Sequence, residues 1–115
     1  MSSEGTRMPQ NKECYAVIFT GTKSENQNGY DEAAIAMFEL ATNQEGFLSI
    51  EHSQMGDNSI TISYWESLES IQKWKDNPKH KIVQEKGQST WYENYTVKVA
   101  KVLREYSFGN EAISA

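Results

Sequence analysis

The chain has 115 residues, a length that suits one domain and argues against two ordinary ones. Its formal net charge is −5 and it carries no basic stripe, so it lacks the surface with which proteins bind nucleic acid. No apolar run approaches the ~20 residues that span a bilayer, and the N-terminus lacks the apolar core of a signal peptide, so we predict a cytoplasmic protein with no membrane partner.

The two ends of the sequence are poor in residues suited to burial. Residues 1–12 are almost entirely polar, and residues 109–115 are small and weakly apolar. We expect flexible tails at both ends and a folded domain over residues 13–108. The single cysteine, Cys14, has no internal disulfide partner and no evident neighbouring base, so we interpret it as a core or surface thiol.

The first half of the domain has the pattern of a strand, a helix and a second strand. A β-branched and aromatic run is followed by a polar loop, then by apolar residues at helical spacing, then by a loosely alternating run. The predicted elements of this half are a strand over Tyr15–Thr20, a loop over Gly21–Gly29, a helix over Tyr30–Ala41 and a strand over Phe47–Met55.

The second half has the pattern of a hairpin followed by two helices and a last strand. Gly56-Asp57-Asn58 is a tight-turn signal, Ser67 suits a helix N-cap, and Asn77-Pro78 breaks one helix and begins the next. The predicted elements of this half are a strand over Ser59–Trp65, a short helix from Ser67 to Trp74, a helix from Pro78 to about Glu93 and a strand over Thr96–Tyr106.

This element order predicts an α+β domain with the ferredoxin-like split βαβ topology, in which helices cover one face of a four-stranded antiparallel sheet. Strand three carries Ile60, Ile62 and Tyr64 on one side and Trp65 on the other. A strand that is apolar on both sides is usually buried on both sides. We therefore expect a homodimer, because a second subunit is the simplest cover for the remaining face of the sheet.

Three short motifs resemble the antibiotic biosynthesis monooxygenase (ABM) family. Gln44-Glu-Gly-Phe-Leu48 is similar to the entry of that family into strand two, and Ile62-Ser-Tyr-Trp-Glu-Ser67 resembles its strand-three ending. Ile71-Gln-Lys-Trp74 followed by Asn77-Pro-Lys-His80 is similar to its helix pair. The resemblance covers about Tyr15 to Tyr106. It implies a dimeric α+β barrel with a pocket in each subunit between sheet and helices.

The resemblance also implies candidate site residues. Trp65 matches the strand-three Trp that lines the pocket of cofactor-free oxygenases, and His80 is the candidate base, since the pKa of histidine lies near neutrality. Thr61 and Ile71 replace an Asn and an aromatic residue of the oxygenase pattern. The predicted catalytic residues are His80 and Trp65, and the predicted substrate-binding residues are Thr61, Ser63, Trp74, Gln84 and Trp91.

Each of these residues also has a purely structural interpretation. Trp65 and Trp91 suit core or dimer packing, and His80 suits a hydrogen-bonded or solvated position near a helix start. His52 lies in mid-strand with no patterned partner. The two histidines and the scattered acids form no recognisable metal site.

The resemblance allows three functions. Some ABM proteins oxidise aromatic, polyketide-like phenols with dioxygen and without metal or flavin, others open the haem ring, and many have no assigned activity. Gln84 stands where the haem-degrading branch has its iron-ligating His, and Gln is a poor haem ligand. The favoured interpretation is therefore a cofactor-independent monooxygenase that acts on a small aromatic ligand. The alternatives are a non-catalytic dimer that binds a small ligand or acts in a stress response and, less favoured, a haem-degrading monooxygenase.

Overall fold

The computed structural model describes residues 13–109 and contains one four-stranded sheet within that range. The strands pair in the order β2-β3-β1-β4, and all pairs are antiparallel, which confirms the predicted ferredoxin-like α+β fold. The elements in chain order are β1 (Tyr15–Lys23), α1 (Tyr30–Thr42), β2 (Phe47–Met55), β3 (Asn58–Trp65), α2 (Leu68–Lys75), α3 (Pro78–Lys86), a π-helical turn (Gly87–Trp91) and β4 (Tyr92–Lys101). Apart from Gly109, the predicted tails lie outside the described residues.

Side-chain caps fix where α2 and α3 begin. The Ser67 hydroxyl oxygen accepts a hydrogen bond from the backbone N–H of Ser70 at 3.0 Å, which sets the first turn of α2. The Asn77 side-chain oxygen accepts from the backbone N–H groups of Lys79 and His80 at 2.9 and 3.2 Å, and Pro78 occupies the first helical position of α3. The cap at Asn77 therefore fixes the backbone that carries His80.

The register of the sheet sorts the strand residues into two faces. Thr61, Ser63 and Trp65 lie on the same face of β3, and Trp65 stacks against Trp74 of α2, so this is the face that the helices cover. Ile60, Ile62 and Tyr64 alternate with them and point to the opposite side. We call that opposite side the open face.

Two element boundaries depart from the sequence-based expectation. The helix predicted from Pro78 to about Glu93 is wrong in its second half, because α3 ends at Lys86, a π-helical turn follows and β4 already begins at Tyr92. The loop predicted from Gly21 is also wrong at its start, because β1 continues to Lys23. A Cβ on Gly21 would lie only 3.0 Å from the Tyr92 ring, so this glycine permits close packing against β4 instead of ending the strand.

The last described segment leaves the sheet as an extended arm. β4 ends at Lys101, five residues before the predicted end, and the Val102 N–H donates to the Cys14 carbonyl at 2.9 Å. Val102–Phe108 then continues without helix or strand, and we call it the C-terminal arm. Cys14 is buried, and this burial, followed by the charge of the Glu105 carboxylate, raises the pKa of its thiol.

Candidate functional site

Three predicted site residues form one continuous stack where β3, α2 and α3 meet. The Trp65 and Trp74 rings have centroids 6.1 Å apart with an interplanar angle of 27°. The Trp74 and His80 rings are closer, with centroids 4.0 Å apart and an interplanar angle of 15°. The structure therefore brings Trp65 and His80 together through Trp74, which lies between them.

The hydrogen bonds around His80 select one tautomer of its ring. Its Nδ1 lies 2.9 Å from the Trp74 carbonyl oxygen, and a carbonyl oxygen only accepts, so Nδ1 carries the proton. Gln84 Nε2 lies 3.2 Å from the same Nδ1, but it is itself a donor and makes no hydrogen bond to the protonated Nδ1; it donates to the Lys75 carbonyl at 3.2 Å. This leaves the lone pair on His80 Nε2, which is the atom available to accept a proton.

The environment of His80 also favours its neutral form. Burial lowers the pKa of the imidazole, and the hydrogen bond to the Trp74 carbonyl opposes that effect without cancelling it. A neutral imidazole with a defined acceptor nitrogen is the form that a general base requires. The geometry of His80 thus suits proton abstraction at neutral pH.

Trp65 is fully buried, with 0% of its surface exposed. Its indole Nε1–H donates to the Ser63 hydroxyl oxygen at 2.9 Å, and the Phe47 ring meets it edge-on at 5.4 Å. The hydroxyl proton of Ser63 is left for another acceptor, because that oxygen acts as an acceptor toward Trp65. In this conformation Trp65 joins the sheet to α2, and Ser63 is the polar group next to it.

Thr61 has a partner that sequence reasoning missed. Its hydroxyl oxygen lies 2.8 Å from Nδ1 of His52, on the neighbouring strand β2. The two residues are directly opposite in the register of the β2–β3 hairpin. Counting pairs outward from the predicted turn at Gly56-Asp57 places His52 opposite Thr61. The hairpin register, and not a sequence motif, could therefore have predicted this contact.

Trp91 lies in a different aromatic cluster at the opposite end of the sheet. Its ring meets Tyr30 edge-on at 5.7 Å, and its indole N–H donates to the Asn28 carbonyl at 2.8 Å. Tyr92, the next residue, is opposite Lys23 in β1, whereas Trp65 is opposite Tyr15, at the other end of that strand. Trp91 therefore does not lie on one helix with His80, as the helix predicted from Pro78 to about Glu93 would require, because α3 ends at Lys86.

Tyr30 is the central ring of this second cluster. Its hydroxyl lies 3.2 Å from the Tyr92 hydroxyl, and burial, followed by that hydrogen bond, strongly raises its pKa. The ammonium of Lys23 lies 3.9 Å from the centroid of the Tyr30 ring. Tyr30 therefore stays protonated at all ordinary pH values and acts as a neutral packing and hydrogen-bonding group.

A separate groove of about 420 Å³ opens near the β2–β3 turn. Its lining is dominated by hydroxyl and amide side chains of the open face, with two apolar residues among them, and it contains none of the predicted site residues. We call it the turn-end groove, and its walls include Thr20, Thr22, Met55, Asn58, Ile60 and Thr96.

Among residues 13–109, no three His, Cys, Asp or Glu side chains cluster closely enough to hold a metal ion. Within the same range, no helix has the length and apolar character needed to cross a membrane.

The fold and the motifs agree with a comparison against known proteins. Residues 14–86 match the family model ABM, described as antibiotic biosynthesis monooxygenase, and the chain therefore belongs to that family. The chain is 48% identical over 95 residues to the uncharacterized protein YqjZ of Bacillus subtilis, covering 82% of this chain and 83% of that protein.

Solved structures with the same fold include two with TM-scores near 0.7. Rv0793 from Mycobacterium tuberculosis matches with a TM-score of 0.72 and 15% identity, covering 82% of this chain and 99% of that one. SnoaB, a cofactor-independent oxygenase from Streptomyces nogalater, matches with a TM-score of 0.69 and 7% identity, covering 79% and 94%. At such low identities these matches establish a shared fold alone.

Proposed function

We propose that this protein is a cofactor-independent monooxygenase of the ABM type that oxidises a small phenol, quinol or polyketide-like aromatic with dioxygen. The observation that carries the proposal is His80, a mostly buried, neutral imidazole that has its acceptor nitrogen defined and stacks on an indole. Family membership and the fold shared with SnoaB support the same reaction class.

In the proposed reaction, His80 Nε2 accepts the phenolic proton and the resulting phenolate is the electron-rich species that reacts with dioxygen. One oxygen atom enters the ring and the other leaves as water, so a phenol with a free ring C–H becomes a quinone and dioxygen is reduced completely. The Ser63 and Thr61 hydroxyls, on the helix-covered face beside Trp65, would orient the substrate oxygens. The two faces of the Trp74 ring are stacked on Trp65 and His80, so Trp74 would contact the aromatic substrate with its ring edge.

Gln84 is proposed to act on His80 and, in this arrangement, only indirectly on the substrate. Its Nε2 donates to the carbonyl of Lys75, the last residue of α2, and lies 3.2 Å from His80 Nδ1. Gln84 would therefore act on His80 by packing beside Nδ1 and limiting the rotation of the ring. Trp91 is hydrogen-bonded to the carbonyl of Asn28, 63 residues earlier in the sequence. From that position it would contribute to a substrate wall only at the far end of the helix-covered face.

We also propose that the protein is a homodimer in the cytoplasm. The open face carries Ile60, Ile62 and Tyr64 in one row, and Ile60 is 37% exposed. ABM-family proteins are typically dimeric. A second copy that covers the open face would remove this apolar row from water.

The enzymatic proposal is tested by oxygen uptake. The purified, metal-stripped protein is incubated with a panel of phenols and hydroquinones, and the rate is compared with that of His80→Ala and of Lys79→Ala. We expect His80→Ala to lower the rate by about 100-fold or more, because a positioned general base contributes roughly that much. Lys79→Ala is the matched control, since Lys79 is the exposed neighbour on the same helix and its backbone hydrogen bond is retained.

A specific observation favours the non-catalytic alternative, in which the protein only binds a small ligand. Trp65 has no exposed surface and its indole N–H is already bonded to Ser63. In that case phenols would quench tryptophan fluorescence in a saturable way without any oxygen uptake. Titration with haem tests the third function, haem degradation. That function requires a Soret shift in the wild type that is lost in His80→Ala.

A further inference from the structure

We propose that the C-terminal arm of each chain binds in the turn-end groove of a second copy, so that two copies exchange arms. This inference rests on the homodimer proposed above and adds which segment of the partner makes the contact. It concerns two features that lie outside the candidate site. One is the exposed apolar C-terminal arm, and the other is the turn-end groove.

The arm exposes its large apolar side chains. Leu103 is 84% exposed, Tyr106 is 81% exposed and Phe108 is fully exposed. Scattered apolar residues on a surface are ordinary, but three exposed ones within six residues of an extended segment are a local concentration, and Tyr106 and Phe108 share one side of that segment. Arg104 Nη1 reaches the Tyr106 hydroxyl at 3.5 Å, which shows that alternate residues of the arm share a side, as in a β-strand.

The turn-end groove has the chemistry of a site for an extended peptide. Hydroxyl and amide groups of Thr20, Thr22, Asn58 and Thr96 offer hydrogen-bond partners to a peptide backbone, while Ile60 and Met55 offer apolar contacts, Met55 being 83% exposed. No acidic or basic side chain lines the groove. A charged small molecule therefore finds no counter-charge there, whereas tyrosine and phenylalanine side chains find both apolar surface and hydroxyl partners.

The positions of arm and groove fit a two-fold dimer. The arm leaves the sheet at Lys101, which is opposite Tyr15, whereas the groove contains Thr22, at the far end of the same strand. These two positions lie roughly 23 Å apart along β1. The arm therefore leaves its own sheet at the end away from its own groove. An extended arm of seven residues is itself roughly 23 Å long.

A two-fold axis between two open faces, perpendicular to the strands, reverses the strand direction of the partner. It therefore places the arm end of one copy over the groove end of the other. Because the contact is isologous, both arms bind at once and both grooves are filled.

The first test measures dimer dissociation of the full-length chain by sedimentation equilibrium. The double variant Tyr106→Ser/Phe108→Ser is compared with the double variant Ile35→Ser/Phe38→Ser, which removes two other exposed apolar side chains (62% and 50% exposed) from α1. We expect the arm variant to raise the dimer Kd by about tenfold or more, since two apolar side chains lose their buried positions. The α1 variant should leave the Kd within a factor of about three.

The second test traps the contact by a disulfide between different chains. In a Cys14→Ser background, a tagged chain with Arg104→Cys is mixed with an untagged chain with Asn94→Cys, because Arg104 shares the side of Tyr106 on the arm and Asn94 lines the groove. Arm exchange predicts a mixed disulfide under mild oxidation, and a chain with Glu32→Cys on α1 in place of Asn94→Cys should give none above background.

The outcomes separate the two proposals. A wild-type chain that remains monomeric at all concentrations would overturn the homodimer and the arm exchange together. A wild-type dimer whose Kd is unchanged in the arm variant, with no mixed disulfide, would leave the homodimer standing and overturn the arm exchange alone. Oxygen uptake is not part of either readout, so an inactive protein still decides the question.

Discussion

The imidazole of His80 lies face to face with the indole of Trp74, with ring centroids 4.0 Å apart and planes inclined by 15°. The same residue, Trp74, supplies the carbonyl oxygen that accepts from His80 Nδ1. One residue thus fixes both the plane of the imidazole and its tautomer. This arrangement has consequences for stability as well as for the proposed chemistry.

The first prediction concerns the pH dependence of folding. Burial lowers the pKa of folded His80 below its ordinary value near 6.5, so the unfolded chain binds the proton more readily. Stability due to this group is therefore fully present above pH ~6.5 and is lost as the pH falls through the folded pKa. Urea unfolding at pH 7.5 and pH 5 should show a larger decrease for the wild type than for His80→Gln. Equal decreases in the two proteins would show that His80 is not held neutral.

The second prediction concerns the buried hydrogen bond between Trp65 and Ser63. Ser63→Ala leaves the indole N–H of a fully buried ring without its acceptor, which should cost about 1–3 kcal/mol of unfolding free energy. In a Trp65→Phe background the same Ser63→Ala change should cost clearly less, because no indole N–H remains to be satisfied. Chemical denaturation of the four proteins gives this difference, and additive costs would argue against the hydrogen bond.

The third prediction compares two glycines with positive φ. Gly46 has φ +85° and a Cβ there would lie 2.5 Å from the Ser70 side chain, so Gly46→Ala adds a clash to the backbone strain. Gly56 has φ +59° and nothing within 4 Å, so Gly56→Ala should cost only the strain, about 1–2 kcal/mol. In the Gly46→Ala variant, the midpoint temperature of thermal unfolding should be well below that of Gly56→Ala. A reversed order would mean that the α1–β2 junction relaxes freely.

The fourth prediction concerns the cap that holds His80. Asn77→Ala removes the side-chain oxygen that accepts from the N–H groups of Lys79 and His80 and should cost about 1 kcal/mol. Asn77→Ser is the matched control, because its hydroxyl keeps a neutral acceptor at the N-cap. If the cap positions His80, the NMR pKa of His80 should shift toward 6.5 in Asn77→Ala and not in Asn77→Ser. Unchanged pKa values in both would assign the cap a purely structural role.

Much of the fold follows from patterns along the chain. The alternation in Ser59–Trp65, the turn at Gly56-Asp57 and the break at Asn77-Pro78 depend on local backbone and packing rules, and each element they predict is present. The segment after Lys86 could not be predicted in this way. Its apolar residues suit a continued helix, but Trp91 and Tyr92 pack against Tyr30, more than fifty residues earlier, and that tertiary contact ends the helix.

The candidate site was predictable only in part. Trp65, Trp74 and His80 were each identified through the resemblance to the ABM family. Their stacking order, however, depends on the angle between α2 and α3. The tautomer of His80 depends on the Trp74 carbonyl, and a backbone carbonyl leaves no mark in a sequence. Whether these residues bind a substrate stays a prediction until oxygen uptake is measured.

The two aromatic clusters have a consequence for the motions of the domain. One cluster joins β3 to α2 through Trp65 and Trp74 and reaches α3 through His80. The other joins the π-helical turn to the start of α1 through Trp91 and Tyr30, and the two clusters share no residue. Each end of the helix layer is thus fastened separately, so we expect one end to open while the other stays closed. The tryptophans then report on different events, Trp74 on opening beside His80 and Trp91 on opening beside Tyr30.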